Sequence, residues 1–298
     1  MPGSRSDSAK TGKRKVFFFM LTDFHTHTVS SDGTMTVSES VAYASDSGVR
    51  IMAVTDHDSV GSLGEFMSIA AERGVVPVPG IEFGCPYGAG EVHVLGYGFD
   101  FLSPGFASAL SVLSERRRNR IRKTVEILNS LGVPVSCERV FAMTTGSPGR
   151  LHIARAAFEA GLVASEGEMF DLYIGEGRPA YVRKDAFSCS EAVGLIREAG
   201  GVSVLAHPGA TGLSLTDIDR IVSMGVDGIE VFYPEHEPLY RRSLELYAGS
   251  RGLLVTGGSD FHGVRNGVLS PIGMPDYPEA HLRRFLDRLG VDAGGLLQ

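Results

Sequence analysis

Asp23-Phe24-His25-Thr26-His27 follows the apolar run Val16–Leu21 after a single threonine, and the reading of the chain starts there. Side chains alternate faces along a strand, so Asp23, His25 and His27 are expected on one side. Two imidazoles at i and i+2 suit a divalent cation, although one such pair also fits structural histidines. Recurrence decides between these. Apolar strands are expected near 17–24, 51–55, 75–82, 91–98, 202–206, 228–233 and 253–257. They run into Thr55-Asp56-His57-Asp58, Gly80-Ile81-Glu82, Ala206-His207-Pro208 and Gly258-Ser259-Asp260-Phe261-His262, and the fourth carries Glu91-Val92-His93. Of nine histidines, His25, His27, His57, His93, His207 and His262 fall at or near strand ends. The C-terminal ends of strands are where parallel α/β barrels place their active sites.

Between these strands lie short amphipathic helical segments, at 38–48, 61–73, 189–199, 215–224 and 236–251, several closed by glycine. The β-α rhythm breaks over 100–185. There Leu110, Leu113, Ile121, Val125 and Leu128 recur at helical spacing, followed by a turn at Gly132-Val133-Pro134 and a second helix at 151–161. The expected organisation is an α/β barrel from 16–99 and 186–298, with 100–185 as a helical insertion serving as a lid or substrate subdomain. Residues 1–15, rich in Ser, Gly, Lys and Arg, read as a disordered tail.

Composition narrows the class. At 298 residues the chain can bury a sizeable core without disulfides. Hydrophobic residues at 43% and charged residues at 21% exclude disordered and collagen-like classes. A net charge of −7 argues against a dedicated duplex-DNA binder. Three scattered cysteines without CxxC spacing suggest neither a zinc ribbon nor a disulfide framework, and point to a reducing, cytoplasmic compartment. The apolar run after Lys13-Arg14-Lys15 is shorter than a secretory signal requires, and no stretch approaches a membrane span.

Imidazole with carboxylate and no thiolate suits Mn, Fe or Zn. The candidate ligands exceed six, so two or three ions bridged by Glu82 fit better than one. Such clusters generate a hydroxide nucleophile and stabilise attacking and leaving oxygens in phosphoryl transfer. In the insertion, Glu115-Arg116-Arg117-Arg118-Asn119-Arg120 places Arg116 with Arg120, and Arg117 with Arg120, on shared helical faces. Arginine forks bind phosphate bidentately, which makes Arg116, Arg117 and Arg120 candidates for a phosphate clamp. His152, Tyr233 and His236 are further candidate substrate contacts. Asp260 or His236 is the candidate proton relay to the leaving oxygen. Gly257-Gly258 reads as a tight turn, since the chain has no GxxxxGK[ST] pattern.

Taken as a set, Asp23-x-His25-x-His27, Ser31-Asp32-Gly33, Thr55-Asp56-His57-Asp58, Gly80-Ile81-Glu82, His93, Ala206-His207-Pro208 and Gly258-Ser259-Asp260-Phe261-His262 resemble the PHP (polymerase and histidinol phosphatase) superfamily. The resemblance implies a distorted (β/α)7 barrel with a trinuclear site. One ion would take His25, His27, Glu82 and Asp260; a second would share Glu82 with His93 and His207; a third would be held by Asp32, His57 and His262. Manganese is the metal expected. The Arg-rich helix followed by Gly149-Arg150-Leu151-His152-Ile153-Ala154-Arg155 resembles the branch of nucleoside 3′,5′-bisphosphate phosphatases, some of which trim short RNA. Tyr233 stands where that branch is expected to carry histidine. The implied activity is removal of the 3′-phosphate of a nucleoside 3′,5′-bisphosphate. Its rivals are a 5′-nucleotidase, a histidinol-phosphate phosphatase, a cyclic-phosphate diesterase and, in another class, a non-catalytic metal or nucleotide-binding module.

Overall fold

A computed structural model describes residues 21–292, apart from 89, 145 and 266. The expected tail at 1–15 and the start of the first expected strand lie outside the described residues. Seven strands form one sheet in sequence order. They are β1 (Leu21–Asp23), β2 (Val49–Val54), β3 (Val76–Tyr87), β4 (Gly90–Tyr97), β5 (Val202–Leu205), β6 (Gly228–Phe232) and β7 (Leu254–Gly257). Adjacent strands are parallel except at β4, which is antiparallel to both β3 and β5. The sheet closes where the segments after β1 and β7 meet. The Phe24 N–H donates to the Gly257 carbonyl at 3.2 Å, the Phe261 N–H to His25 at 3.3 Å, and the His27 N–H to Phe261 at 2.8 Å. This agrees with the expected α/β barrel.

The reversal of β4 changes how one site residue reaches the rim. His93 is the fourth residue of β4, not near its C-terminal end as expected. Because β4 folds back as a hairpin on β3, pairing His93 with Gly84, its early residues lie beside the late residues of β3. An antiparallel strand serves the same rim with its first half.

Helices α1 (Val37–Asp46) and α2 (Leu63–Glu72) cover the first strands, and α7 (Cys189–Glu198), α8 (Leu215–Ser223), α9 (Pro238–Ser250) and α10 (Glu279–Leu289) cover the rest. Sequence fixes several of their starts: Thr36 with Glu39, and Ser188 with Glu191, form capping boxes. Among the described residues no helix is long and apolar enough to cross a membrane. Between β4 and α7 lie α3 (Pro104–Ser130), α4 (Cys137–Phe141), α5 (Arg150–Glu159), α6 (Glu166–Met169) and a π-helical turn at Phe170–Ile174. α3 serves two cores. Its Phe106, Leu110 and Leu113 join the barrel interior, whereas Ile121, Val125 and Leu128 join a separate cluster with Val140, Ile153 and Met169.

Gly258 is demanded by closure rather than by a tight turn. A Cβ there would lie 2.2 Å from the Cβ of His25 and 2.6 Å from its backbone nitrogen. Gly194, inside α7, would meet nothing within 4 Å. Gly258→Ala should therefore destabilise the fold by about 1–3 kcal/mol, the usual cost of overpacking. Gly194→Ala should stabilise it by about 0.5–1 kcal/mol through helix propensity. Denaturant melts of the two variants check both signs, and a neutral Gly258→Ala would contradict the closure argument.

Candidate metal centre

The rim is built from residues just beyond the strand ends. Asp23 closes β1, and with the strand over, alternation no longer governs its neighbours. Its carboxylate does not join His25 and His27. It accepts from the His25 N–H at 3.1 Å, the Ser259 N–H at 2.9 Å and the Gly273 N–H at 2.8 Å, tying the two closing segments together. Asp56 behaves similarly. It accepts from the Thr28 N–H and from the hydroxyls of Thr28, Ser31 and Ser62, so both of its oxygens are satisfied inside the fold. Three residues of the rim, Asp58, His207 and Asp260, adopt left-handed backbone with φ of 49°, 21° and 54°. Non-glycine residues in that region carry strain, which concentrates at functional sites.

Glu82, fully buried in the middle of β3, is the hub. Its Oε1 lies 2.7 Å from His93 Nδ1 and 3.2 Å from His207 Nε2. Its Oε2 lies 2.9 Å from His57 Nδ1, 3.2 Å from His27 Nε2 and 3.3 Å from His25 Nε2. Asp260 Oδ1 sits 3.2 Å from His27 Nε2, 3.4 Å from His25 Nε2 and 3.5 Å from His262 Nδ1. Asp32 Oδ1 is 3.2 Å from His262 Nε2, and its Oδ2 is 3.9 Å from His57 Nε2. All nine sequence-derived ligand candidates thus converge. His57 lies between sets, with one nitrogen toward Glu82 and the other toward Asp32.

The donor atoms fit divalent cations. His25 Nε2, His27 Nε2, Glu82 Oε2 and Asp32 Oδ1 are buried without hydrogen-bond partners. Leaving such groups unsatisfied costs about 1–3 kcal/mol each. Donors about 2.0–2.2 Å from an ion sit about 3–3.6 Å from one another, the spacing found around Glu82 and Asp260. Among the described residues four groupings of donors lie close enough to share an ion: His25, His27 and Asp260; His57, Glu82 and His93; His27, Asp32, His57 and His262; and His25, His207 and Glu230. Glu230 on β6 also neighbours His25 and His207, but on the outer side. Its oxygens lie 3.1 and 3.2 Å from His25 Nδ1, and it accepts from the His207 N–H at 2.9 Å. This leaves His25 Nε2 aimed at Glu82, the carboxylate–histidine arrangement that orients metal ligands. The sequence segment containing Glu230 was visible, yet nothing in it separated an orienting carboxylate from a strand residue.

Electrostatics match. Burial would strip His27 of its proton, but Asp260 and Glu82 reverse this and hold its pKa at about 9. Burial likewise opposes His93, and Glu82 and Glu91 raise it to about 10. Against its own burial, Glu82 is held well below the usual carboxylate range by His57, His93 and His25. Asp260 is also held far below that range, despite burial, chiefly by His25 and His262.

Above the cluster lies a cavity of about 170 Å³, with Asp32, His57 and His93 on its floor and Arg117, Arg120, Arg150 and Lys184 on its walls. Arg117 is fixed by Asp58 and donates from Nε to the Pro148 carbonyl at 3.1 Å. Arg120 donates from Nε to Val182 at 2.9 Å, and burial followed by Arg150 lowers its pKa to about 10. Lys184 reaches Glu91 at 3.0 Å. Arg116 is a correction: it pairs at 3.3 Å with exposed Asp185 and does not line the cavity. The sequence did not assign Arg150 or Lys184 to this wall, since both come from segments of the insertion other than α3, beyond the reach of helical spacing within it.

Two histidines also depart from expectation. His236 is buried; its Nδ1 donates to the Val231 carbonyl at 2.9 Å and its Nε2 accepts from the Gly209 N–H at 3.1 Å. With both nitrogens bound to backbone, it has none for substrate or for proton relay. His152, also buried, accepts from the Gly149 N–H at 3.0 Å as part of the start of α5 and does not line the cavity. Tyr233 stays at the rim, its hydroxyl donating to Asp260 Oδ2 at 3.4 Å.

Comparison with known proteins places this geometry. The family model described as PHP domain matches residues 23–152. The chain is 33% identical to the 3′,5′-nucleoside bisphosphate phosphatase of Chromobacterium violaceum over 88% of its own length and 96% of that protein. It is 28% identical to a 5′-3′ exoribonuclease of Haemophilus influenzae, over 80% of its length and 89% of that protein. Among solved structures, a Bifidobacterium adolescentis protein provisionally described as a metal-dependent phosphoesterase superposes with a TM-score of 0.80 at 31% identity, covering 91% of this chain and 96% of that one.

Two outcomes follow. The protons held by His27 and His93 below about pH 9–10 must leave when a cation binds. Loading the metal-free protein at neutral pH should release protons, and affinity should rise with pH through that range. Titration calorimetry in buffers of different ionisation enthalpy reads both effects. Glu230→Gln should weaken metal binding by about 10–100-fold with little change in secondary structure. An unchanged metal affinity would remove Glu230 from this role.

Proposed function

The chain belongs to the PHP family and is a metal-dependent phosphoric ester hydrolase, and from that premise we propose that it removes the 3′-phosphate from a nucleoside 3′,5′-bisphosphate. The observation that carries this is the pairing, across one small cavity, of a buried histidine–carboxylate cluster with four cationic side chains. A monoester substrate such as histidinol phosphate would place one phosphate on the cluster and leave the wall with an excess of positive charge, since Arg117, Arg120, Arg150 and Lys184 have only Asp58 and Glu91 as carboxylate partners. A bisphosphate fills both places.

Divalent cations supply the chemistry that lowers the pKa of water and neutralises phosphoryl oxygens. We assign His25, His27, Glu82 and Asp260 to one ion, Glu82, His93 and His207 to a second, and Asp32, His57 and His262 to a third, with manganese the metal expected. The chain's own residues do the positioning. Glu230 and Asp23 hold His25 from opposite sides, and Asp58 fixes Arg117 so that its fork stays in the cavity. Arg120 and Arg150, crowded in a half-buried wall, gain most from an anion that relieves their repulsion. A distal phosphate held there supplies binding energy remote from the scissile bond and fixes its orientation. The relative named as an exoribonuclease supports short RNA as an additional substrate, since the cavity also opens toward a wider one of about 770 Å³.

The test is phosphate release by Mn-loaded protein from adenosine 3′,5′-bisphosphate, AMP and histidinol phosphate. The bisphosphate should be preferred. Arg120→Ala and Arg150→Ala should each raise its KM about 10-fold or more, in keeping with about 1.5–3 kcal/mol for a hydrogen bond to a charged group. Arg116→Ala should leave it nearly unchanged. Equal losses on mono- and bisphosphates in the Arg120 variant would discard the clamp and retain the phosphoesterase.

A further inference from the structure

Three cavities meet in the cleft. The first, of about 170 Å³, holds the histidine–carboxylate floor and the cationic wall. The second, of about 290 Å³, continues from that wall past Arg183 and Tyr181. The third, of about 770 Å³, also borders Asp32; Leu151, Val264 and Phe170 give it apolar surface beside the polar Thr34, Arg155, Glu166 and Arg265. Among the described residues only Phe170 borders all three.

Local sequence sets the position of Phe170. It opens the π-helical turn Phe170–Ile174, closed by the Gly175 N–H donating to the Phe170 carbonyl at 2.9 Å. Gly175 permits that closure, since a Cβ there would stand 2.4 Å from the same carbonyl oxygen. Wide turns of this kind recur at functional sites because they re-aim a side chain that a regular helix would turn elsewhere. One side of Phe170 packs against the core of the insertion. On the cationic side the Arg150 guanidinium lies 5.8 Å from its ring centroid, and Arg150 is itself 5.5 Å from the Tyr181 ring. The ring also borders the third cavity, which Leu151 and Val264 line as well.

We propose that Phe170 is the platform for the substrate's nucleobase, with Leu151 and Val264 flanking the stacked ring. The proposal rests on the nucleoside bisphosphate reading and deepens it. Such a substrate has three arms diverging from one sugar: the scissile phosphate, the distal phosphate and the base. Around one aromatic residue the cleft places a floor with histidine and carboxylate donors, a cationic wall shared by the first two cavities, and a wider chamber with apolar surface at Leu151 and Val264. The base is the uncharged arm, and this wider chamber is the one of the three with two aliphatic side chains, Leu151 and Val264, beside Phe170. Stacking on a ring tolerates every base, because each has a π-face. Phe170 thereby selects nucleotides over other sugar bisphosphates without selecting among bases.

The experiment compares adenosine 3′,5′-bisphosphate with the base-free 1-deoxyribose 3,5-bisphosphate as substrates of Mn-loaded wild type, Phe170→Leu, Phe170→Tyr and Tyr181→Ala. Phe170→Leu keeps apolar bulk against the insertion core and removes the flat π-face. It should raise KM for the nucleotide about 10-fold, with kcat within about twofold, and leave the base-free substrate unchanged. Phe170→Tyr should retain wild-type behaviour. Equal losses on both substrates would show that Phe170 only packs. A selective loss in Tyr181→Ala instead would put the base in the second cavity. Wild type that hydrolyses both substrates with equal KM would overturn the platform and keep the bisphosphate reading. Wild type that hydrolyses neither would overturn the bisphosphate reading and the platform with it.

Discussion

Five imidazole nitrogens stand within 3.3 Å of the two oxygens of Glu82, and holding them there while shutting out bulk water governs the architecture. No single helix or strand presents so many donors to one point. The rings arrive from the ends of β1, β2 and β5 and from the early half of β4, so the sheet must curl until those places face one another. Closure is the tightest part of that curl. Gly258 passes against the backbone of His25, and the Asp23 carboxylate binds amides from both closing segments. A buried carboxylate is tolerated only with hydrogen bonds or charge partners. Asp23, Asp56 and Glu230 each have them, and each spends them on holding the rim. Glu82, Asp260 and Asp32 instead face histidine nitrogens, with lone pairs left for cations.

This division between satisfied and unsatisfied carboxylates was not legible in the sequence, although the cluster itself was. His25, His27, His57, Glu82, His207, Asp260 and His262 could be found because strand ends repeat, and a repeated ending on one rim is a geometric statement. His93 was found for a partly wrong reason, since a hairpin rather than a strand terminus delivers it. Asp23 was expected beside His25 because alternation was carried past the last residue of β1. His236 and His152 show a different limit. A histidine in a suggestive motif has two nitrogens, and only the fold reveals that backbone groups already occupy the one or both that matter.

The arginines were half legible, for a physical reason. Helical spacing gives Arg116, Arg117 and Arg120 neighbouring azimuths, but the azimuth that meets the cavity depends on how α3 docks. Phe106, Leu110 and Leu113 fix that docking by entering the barrel core one to three turns before the arginines. Continuing that face along the helix brings Arg117 and Arg120 over the metal-facing rim and leaves Arg116 beside Asp185 in solvent. Arg150 and Lys184 come from other segments of the insertion, so no spacing rule within α3 reaches them.

The cleft is therefore a junction of two hydrophobic cores, and its walls are only as rigid as the ties between them. α3 is the first tie, with one half in each core. The Asp58–Arg117 ion pair is the second, joining the residue after His57 to the cationic wall. The third is a pair of hydrogen bonds to backbone carbonyls, with the Ser147 N–H donating to Ser30 at 2.8 Å and the Thr144 hydroxyl to Val29 at 3.0 Å, next to the Asp32 loop. Each tie reaches the barrel within two residues of a proposed metal ligand or at the helix that carries the arginines. On the proposed reading, a phosphate gripped by the wall would be held at a fixed offset from the Glu82 cluster. That fixed offset is what allows binding energy at one anion to be spent on orienting the other.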